Sequence, residues 1–249
     1  MHPNSRLSLF DDAWIGVDCR HRYPIENGIP SLMPEELPGA VLTGIQETTL
    51  KERNARDAQA RVYDWNIPLH LLGLREIPLS LRLLSPRPAE QILEVGCGTG
   101  RFTRHLAASQ VSLTALDHSG RSLRIARAKL ASSTVRFIQG TASHLPFAEA
   151  TFDGVASCQM LSHLPSHELR LGAVSEMARV LAPAGRLFIS LYRHAADGVR
   201  RKEGEHPGGI YFFRFTREEF LALIPPWLAV EELRGDVGYL WLARCRKTA

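Results

Sequence analysis

Ile92-Leu93-Glu94-Val95-Gly96-Cys97-Gly98-Thr99-Gly100 sets three alternating glycines directly behind a short apolar run and ahead of a helix-forming segment, 101–108. An apolar run of this length suits a strand buried on both faces. The glycines let the chain turn sharply and bring bare backbone close to a ligand. Their spacing is Gly-x-Gly-x-Gly, which lacks the Gly-x-Gly-x-x-Gly fingerprint of dinucleotide sites. Glu94 stands just before the glycines, where a carboxylate repels a pyrophosphate and attracts an ammonium group. The next apolar run ends in Leu116-Asp117, a carboxylate placed to accept hydrogen bonds from both hydroxyls of a ribose.

Outward from this turn, strand and helix patterns alternate. Buried-strand runs fall at Gln91–Val95, 111–116, 135–139, Phe152–Cys158 and 186–191, with helix-like segments between them. One helix starts at the N-cap Ser166, carries Leu169, Ala173, Met177 and Val180 at spacings of three and four, and stops near Pro183. Gly185 opens the strand that follows. Such alternation predicts a parallel sheet wrapped by helices on both faces. Thr216-Arg217-Glu218-Glu219 is a capping box ahead of a short helix that Pro225-Pro226 ends, and two last strands fit at 227–233 and 239–244. No internal repeat or low-complexity segment is visible.

Before this core lie two further regions. Residues 1–43 form a small module in which Asn27-Gly28, between short runs containing Tyr, Ile and Leu, is a two-residue hairpin turn. Pro24 and Pro30 confine its strands to edges. Residues 44–88 read as helical, polar at first and apolar from Pro68 to Leu84, and Pro86 and Pro88 close them. The expected organisation is therefore a module at 1–43 and one larger domain at 44–249, whose catalytic core is 89–249.

The 249 residues are 45% hydrophobic and 22% charged, ordinary values for a globular chain with a sizeable core. No apolar run approaches the roughly 18 residues that cross a bilayer, and the opening residues hold no apolar stretch of signal-peptide type. A cytoplasmic protein without a membrane partner is expected. The four cysteines, Cys19, Cys97, Cys158 and Cys245, form no Cys-x-x-Cys pair, which argues against a disulfide scaffold and an intact zinc ribbon. A net charge of +4 is compatible with an acidic partner without requiring one.

Taken together, these residues resemble the class I S-adenosylmethionine-dependent methyltransferases, over about 48–246. Beyond the glycine turn and Asp117, the resemblance rests on Gly140-Thr141-Ala142-Ser143-His144-Leu145-Pro146-Phe147, on Phe152-Asp153-Gly154-Val155, and on Leu181-Ala182-Pro183-Ala184-Gly185-Arg186-Leu187. It implies a doubly wound, mostly parallel seven-stranded sheet of Rossmann-like type, with the last strand antiparallel and the cofactor lying where the strand order reverses. By resemblance Glu94, Gly96, Cys97, Gly98 and Gly100 hold the methionine part, Asp117 and His118 the ribose end, and Thr141, Ala142 and Ser143 the adenine edge. Gln159, at the end of the fourth strand, borders methionine and acceptor. Many relatives carry an aspartate where Thr141 stands, and a hydroxyl accepts more weakly than a carboxylate.

The run from Arg53 through Arg56-Asp57 to Tyr63-Asp64 resembles a helix seen ahead of the core in a subgroup of small bacterial methyltransferases, where the tyrosine closes over the cofactor. Tyr63 is the lid candidate; the alternative is a solvated helix with one tyrosine on the core. The first module resembles the zinc-ribbon-like domains that precede some methyltransferases. Cys19 and His21 fall short of the four ligands of a zinc site, so a degenerate module with no metal is expected.

For catalysis the candidates are His163, in Leu161-Ser162-His163-Leu164 on the acceptor side, and Tyr211 and His206 in the stretch 193–216. A histidine titrating near neutrality can take a proton from an acceptor hydroxyl or amine, although in many relatives this one only bonds backbone. The stretch itself reads as a long polar, glycine-containing insertion, with Arg200-Arg201-Lys202, that runs into the aromatic cluster Ile210-Tyr211-Phe212-Phe213-Arg214-Phe215. The expected activity is methyl transfer from S-adenosylmethionine to a small-molecule acceptor, such as a specialised metabolite, by in-line displacement. RNA base methylation is the first alternative, although no Asn/Asp-Pro-Pro-Tyr motif and no separate basic domain is present. A non-catalytic, cofactor-binding regulator is the second.

Overall fold

The structure, a computed structural model, describes residues 7–10, 13–16, 22–33, 44–63, 67–194, 201–206 and 208–248. Four short strands come first: β1 (Leu7–Phe10), β2 (Ala13–Gly16), β3 (Arg22–Glu26) and β4 (Ile29–Pro30), paired in sequence as an antiparallel meander. Between β3 and β4, Asn27 and Gly28 both take positive φ, 51° and 69°, the twist a two-residue hairpin needs. The meander does not stand apart from the rest. Ser31 bridges Gln139, the Leu32 N–H donates to the Gln139 carbonyl at 2.8 Å, and Ile29 is buried among Cys97, Ala115, Leu123 and Phe137.

Two helices follow, α1 (Gly44–Gln59) and α2 (Ile67–Leu84), and then the sheet begins. Its strands are β5 (Gln91–Val95), β6 (Ser112–Asp117), β7 (Arg136–Gln139), β8 (Phe152–Cys158) and β9 (Leu181–Tyr192), closed by β12 (Leu228–Val237) and β13 (Leu240–Lys247). Spatially the order is β12-β13-β9-β8-β5-β6-β7. All neighbours from β9 to β7 are parallel, and β13 runs antiparallel to both β9 and β12. The chain moves outward from β5 to β6 and β7, then returns to the other side of β5 with β8. That reversal lies between β5 and β8, where a crevice opens beyond the carboxyl ends of the strands.

Connecting helices α3 (Thr103–Ala107), α4 (Gly120–Lys129), α5 (His167–Val180) and α6 (Arg217–Ala222) cover the two faces. Leu93 and Val95 point into one core with Val174, Met177 and Phe220, while Ile92 packs with Leu84, Phe102 and Phe188 in the other. This period-two division buries β5 on both sides, as its unbroken apolar run predicts. Ser166 caps α5, its Oγ accepting from the Leu169 N–H at 3.2 Å. The capping box at Thr216 makes both reciprocal bonds.

Two local expectations change. Helix α5 stops at Val180, near Pro183 as expected, but the next strand opens at Leu181 and not at Gly185, because Pro183 disfavours helical backbone at Ala182 and fully buried Leu181 already pairs with Phe152 of β8. In the stretch read as an insertion, residues 203–213 form a hairpin, β10 (Glu203–His206) with β11 (Ile210–Phe213). Gly208 and Gly209, at φ 91° and 79°, supply its turn.

Candidate functional site

A cleft opens at the carboxyl ends of β5, β6 and β8, on the topological switch. Its floor is the glycine turn. The Gly96 and Cys97 N–H groups both donate to the Leu116 carbonyl, at 2.8 and 3.1 Å, so the turn folds back over β6. Gly96 takes φ 80°, and a Cβ there would come within 2.4 Å of Met160 Cγ. Gly98, at φ 53°, has nothing within 4 Å of the place its Cβ would take; a side chain would occupy the space the bare backbone leaves for a ligand. Asp117 braces this loop: Oδ2 accepts from the Gly98 N–H at 2.7 Å, and Oδ1 from the Ser119 N–H at 2.9 Å. A carboxylate offers about four acceptor positions, so ligand hydroxyls still find lone pairs on it.

Glu94 lines the same cleft at 1% exposure, and its Oε2 has no hydrogen-bond partner. Burial raises its carboxyl to about 8. A buried carboxyl oxygen without a partner is costly, and a cationic ligand group would relieve it. The neighbouring Cys97 thiol is likewise pushed well up, by burial and by the Asp117 and Glu94 charges, and stays protonated.

Behind the floor lies a network that no sequence motif announces. Glu76 of α2 is 1% exposed. Its Oε2 accepts from Arg101 Nη1 at 2.8 Å, and its Oε1 from Gln159 Nε2 at 2.9 Å and from Ser190 Oγ at 3.2 Å. One carboxylate thus fixes the residue after the glycine turn, the end of β8 and the strand β9. Gln159 itself is left-handed, φ 61°, a conformation uncommon outside glycine. The hint of this in the sequence is slight: Glu76, next to Arg75, is the one acidic residue of a largely apolar helix that also carries Arg82.

Helix α1 covers the cleft and is tied to the core. Asp57 Oδ1 accepts from Ser119 Oγ at 2.5 Å and from the Arg121 N–H at 3.1 Å, at the start of α4. Thr49, Glu52, Arg56 and Tyr63 all line the cleft. Glu52 Oε1 accepts from Arg56 Nε at 3.3 Å, and Glu52 Oε2 from the Tyr211 N–H at 3.3 Å. On the opposite wall, His163 Nδ1 lies 2.7 Å from the Tyr211 carbonyl. A carbonyl only accepts, so Nδ1 carries the proton and Nε2 the lone pair. Burial and the Arg56 charge drive the His163 pKa well down, and the ring is neutral at physiological pH.

Of the residues expected to bind cofactor, Tyr63, Glu94, Gly96, Cys97, Gly98, Asp117, His118, Thr141, Ala142 and Gln159 line the cleft. Gly100 and Ser143 sit just behind it: a Cβ on Gly100 would meet Ala126 at 3.2 Å, and the Ser143 hydroxyl contacts Thr141 Oγ1 at 3.2 Å. Among the catalytic candidates His163 alone is in the lining. Tyr211 turns its ring away: its hydroxyl donates to Glu203 at 2.8 Å and accepts from buried Arg170 at 3.1 Å, while its backbone joins α1 to His163. Strand alternation explains the displacement, since Ile210, one residue earlier, is the hairpin residue that reaches the cleft. His206 stands behind His163, ring centroids 5.7 Å apart, with its Nε2 buried and unpartnered. In the basic run, Lys202 pairs with Glu219 at 2.5 Å. Arg200, Cys19 and His21 lie outside the described residues.

Among the described residues, no helix is long and apolar enough to cross a membrane, and no group of three or more His, Cys, Asp or Glu could hold a metal. Residues 92–185 match the family model described as a methyltransferase domain. An O-methyltransferase of Aspergillus nomiae is 38% identical over 114 residues, 44% of this chain and 49% of that protein. A probable tRNA methyltransferase of Mus musculus is 34% identical over 110 residues, 44% of this chain and 23% of that protein. The chain spans about half the length, or less, of these curated relatives. Among solved structures, the 1,6-didemethyltoxoflavin-N1-methyltransferase of Burkholderia thailandensis, with bound 1,6-didemethyltoxoflavin and S-adenosylhomocysteine, is 20% identical. It superposes with a TM-score of 0.68 over 94% of this chain and 98% of its own. The chain therefore has the fold of that methyltransferase, and its segment 92–185 is similar in sequence to methyltransferase domains.

Proposed function

We propose that this protein is an S-adenosylmethionine-dependent methyltransferase acting on a small-molecule acceptor. The observation that carries the proposal is the meeting, at the switch point, of the bare Gly98 backbone, the Asp117 carboxylate that braces it and the buried carboxyl of Glu94, whose Oε2 has no hydrogen-bond partner. These groups fit a ligand with a ribose and an amino-acid ammonium. Glu94 and the turn 96–100 would hold the methionine part, Asp117 the ribose, and His118, Thr141 and Ala142 the adenine end. Tyr63 would cover it, and Gln159 would border the acceptor.

When bound, the cofactor supplies an electrophilic methyl carbon on a sulfonium sulfur. The chain's own work is to align the acceptor, exclude water and receive any proton the acceptor must lose. His163, neutral and with its Nε2 lone pair unprotonated, is the cleft residue suited to that last task. The fold neighbour and the O-methyltransferase relative support the same activity. Enclosure between α1, the turn at His163 and Ile210 favours a small acceptor. RNA needs an open basic groove with a platform for a splayed base, and Lys202 of the basic run is already paired. In the same proposal, 1–43 is a degenerate, metal-free module, 44–249 is the methyltransferase domain, and the protein acts in the cytoplasm.

Calorimetric titration with S-adenosylhomocysteine tests the proposal. Saturable binding is expected, weakened in Asp117→Asn by about ten- to a hundredfold, the scale of hydrogen bonds to a charged group. Absence of binding, or equal affinity in that variant, overturns it.

A further inference from the structure

Two permanently charged basic side chains stand among the described residues that line the cleft, Arg101 and Arg56. Arg101 is matched by Glu76 at 2.8 Å. Arg56 is not matched in the same way. Only its Nε is engaged, by Glu52 Oε1 at 3.3 Å, and among the described residues neither Nη nitrogen has a hydrogen-bond partner. Glu52 divides its carboxylate, giving its second oxygen to the Tyr211 N–H, and burial raises its pKa above the ordinary carboxylate range.

The Tyr211 peptide groups also fix the opposite wall. The N–H holds Glu52 and through it Arg56; the carbonyl holds His163 Nδ1 at 2.7 Å. A guanidinium with its terminal fork unused and an imidazole with its Nε2 lone pair are therefore anchored to one residue, and both line the cleft. Tyr192 and His206, at ring distances of 5.3 and 5.7 Å from His163, back that wall without adding charge; burial pushes the Tyr192 hydroxyl up and lowers the His206 pKa. The remaining acidic lining residues, Glu94 and Asp117, belong to the floor described above.

Resting on the proposed methyltransferase activity, we infer that the acceptor is a small molecule with a weakly acidic O–H, a phenol, enol or carboxylic acid, which Arg56 receives as its oxyanion beside His163. An amine acceptor arrives as an ammonium and meets Arg56 as a like charge. An oxyanion instead finds a planar fork made for paired oxygens. For an acceptor that arrives protonated, the O–H bond breaks, the proton passes to His163 Nε2 and the pair stays on oxygen; the imidazolium then returns the proton to water. Arg56 in this role determines specificity.

Equilibrium binding to the S-adenosylhomocysteine complex tests the inference without turnover. The probes are matched pairs: para-nitrophenol with para-nitroanisole, and naphthoic acid with methyl naphthoate. The acid of each pair should bind about tenfold or more tightly than its neutral partner. Bound para-nitrophenol should show the phenolate absorption band below the pH at which it ionises in water. Arg56→Gln should erase the preference and the band and Arg56→Lys should keep part of both; each variant should still unfold cooperatively, Arg56→Gln at a somewhat lower temperature because Glu52 loses its ion-pair partner, and S-adenosylhomocysteine affinity should be unchanged in each. Equal binding within pairs, or no acid bound by a protein that holds S-adenosylhomocysteine, overturns the inference. So does an Arg56→Gln variant that keeps the acid preference but loses S-adenosylhomocysteine, since Arg56 then serves the cofactor. Wild-type protein that fails to hold S-adenosylhomocysteine removes the methyltransferase proposal first.

Discussion

Glu94 should make cofactor binding release a proton. The side chain is 1% exposed, its Oε2 is unpartnered, and burial, partly opposed by the Thr103 hydroxyl and the Arg101 charge, raises its carboxyl from 4.5 to about 8. The free protein therefore holds this carboxyl protonated at neutral pH, whereas a complex with a ligand ammonium needs it ionised. Because the free pKa lies above the bound one, affinity must rise with pH and level off above about 8. Each pH unit below that point costs about 1.4 kcal/mol, so S-adenosylhomocysteine should bind about tenfold more weakly at pH 7 than on the plateau, and about a hundredfold more weakly at pH 6.

The same shift acts on stability with the opposite trend. A carboxyl protonated in the fold and ionised in the unfolded chain favours the fold fully below its unfolded pKa, and that contribution is lost as pH climbs from 4.5 to about 8. At pH 7 the loss is about 3 kcal/mol. Glu94→Gln should therefore stabilise the ligand-free protein by up to that amount while weakening S-adenosylhomocysteine on the alkaline plateau and flattening its pH profile. Calorimetry in buffers of different ionisation enthalpy reads the released proton directly, close to one per ligand at about pH 7. Affinity that stays flat from about pH 6 to about pH 8, with heats independent of the buffer, would refute the pairing of Glu94 with a ligand cation.

Three further outcomes follow from the surrounding contacts. Glu76→Gln leaves buried Arg101 without its counter-charge and should lower unfolding free energy by about 3 kcal/mol in denaturant titrations; wild-type stability there would show that the network at Gln159 and Ser190 is not structural. Gly96→Ala must place a Cβ within 2.4 Å of Met160 Cγ at φ 80°, and should cost about 2 kcal/mol or more together with S-adenosylhomocysteine binding. The purified protein should carry no zinc by elemental analysis; one zinc per chain would mean that Cys19 and His21 recruit further ligands and would strengthen the RNA alternative.

Much of the architecture was legible because its signals are local. The apolar runs at 91–95 and 152–158 coincide with β5 and β8, and Ser166 and Thr216 cap the helices their neighbours predict. Each depends on residues within one turn or one strand. The strand boundary at Leu181 was harder, since it depends on a partner, Phe152, almost thirty residues earlier. The hairpin at 203–213 was hidden for a related reason: Glu203-Gly204-Glu205-His206 carries no strand pattern, and only its pairing with the aromatic run makes it one.

For the candidate site the same division holds. The sequence by itself placed the glycine turn, Glu94 and Asp117 at the ends of adjacent parallel strands, because chain order and strand polarity are enough to do so. Tertiary structure alone decided the network behind the cleft and the part that Tyr211 plays beside it. It brought Glu76 to Arg101 and Gln159 across separations of 25 and 83 residues. It turned Tyr211 outward toward Arg170, and made that residue's backbone the link between Glu52 and His163. Such contacts depend on how helices settle on the sheet and on which face of a short strand is buried. A one-residue change of register reverses that face, so no local pattern in the chain encodes them.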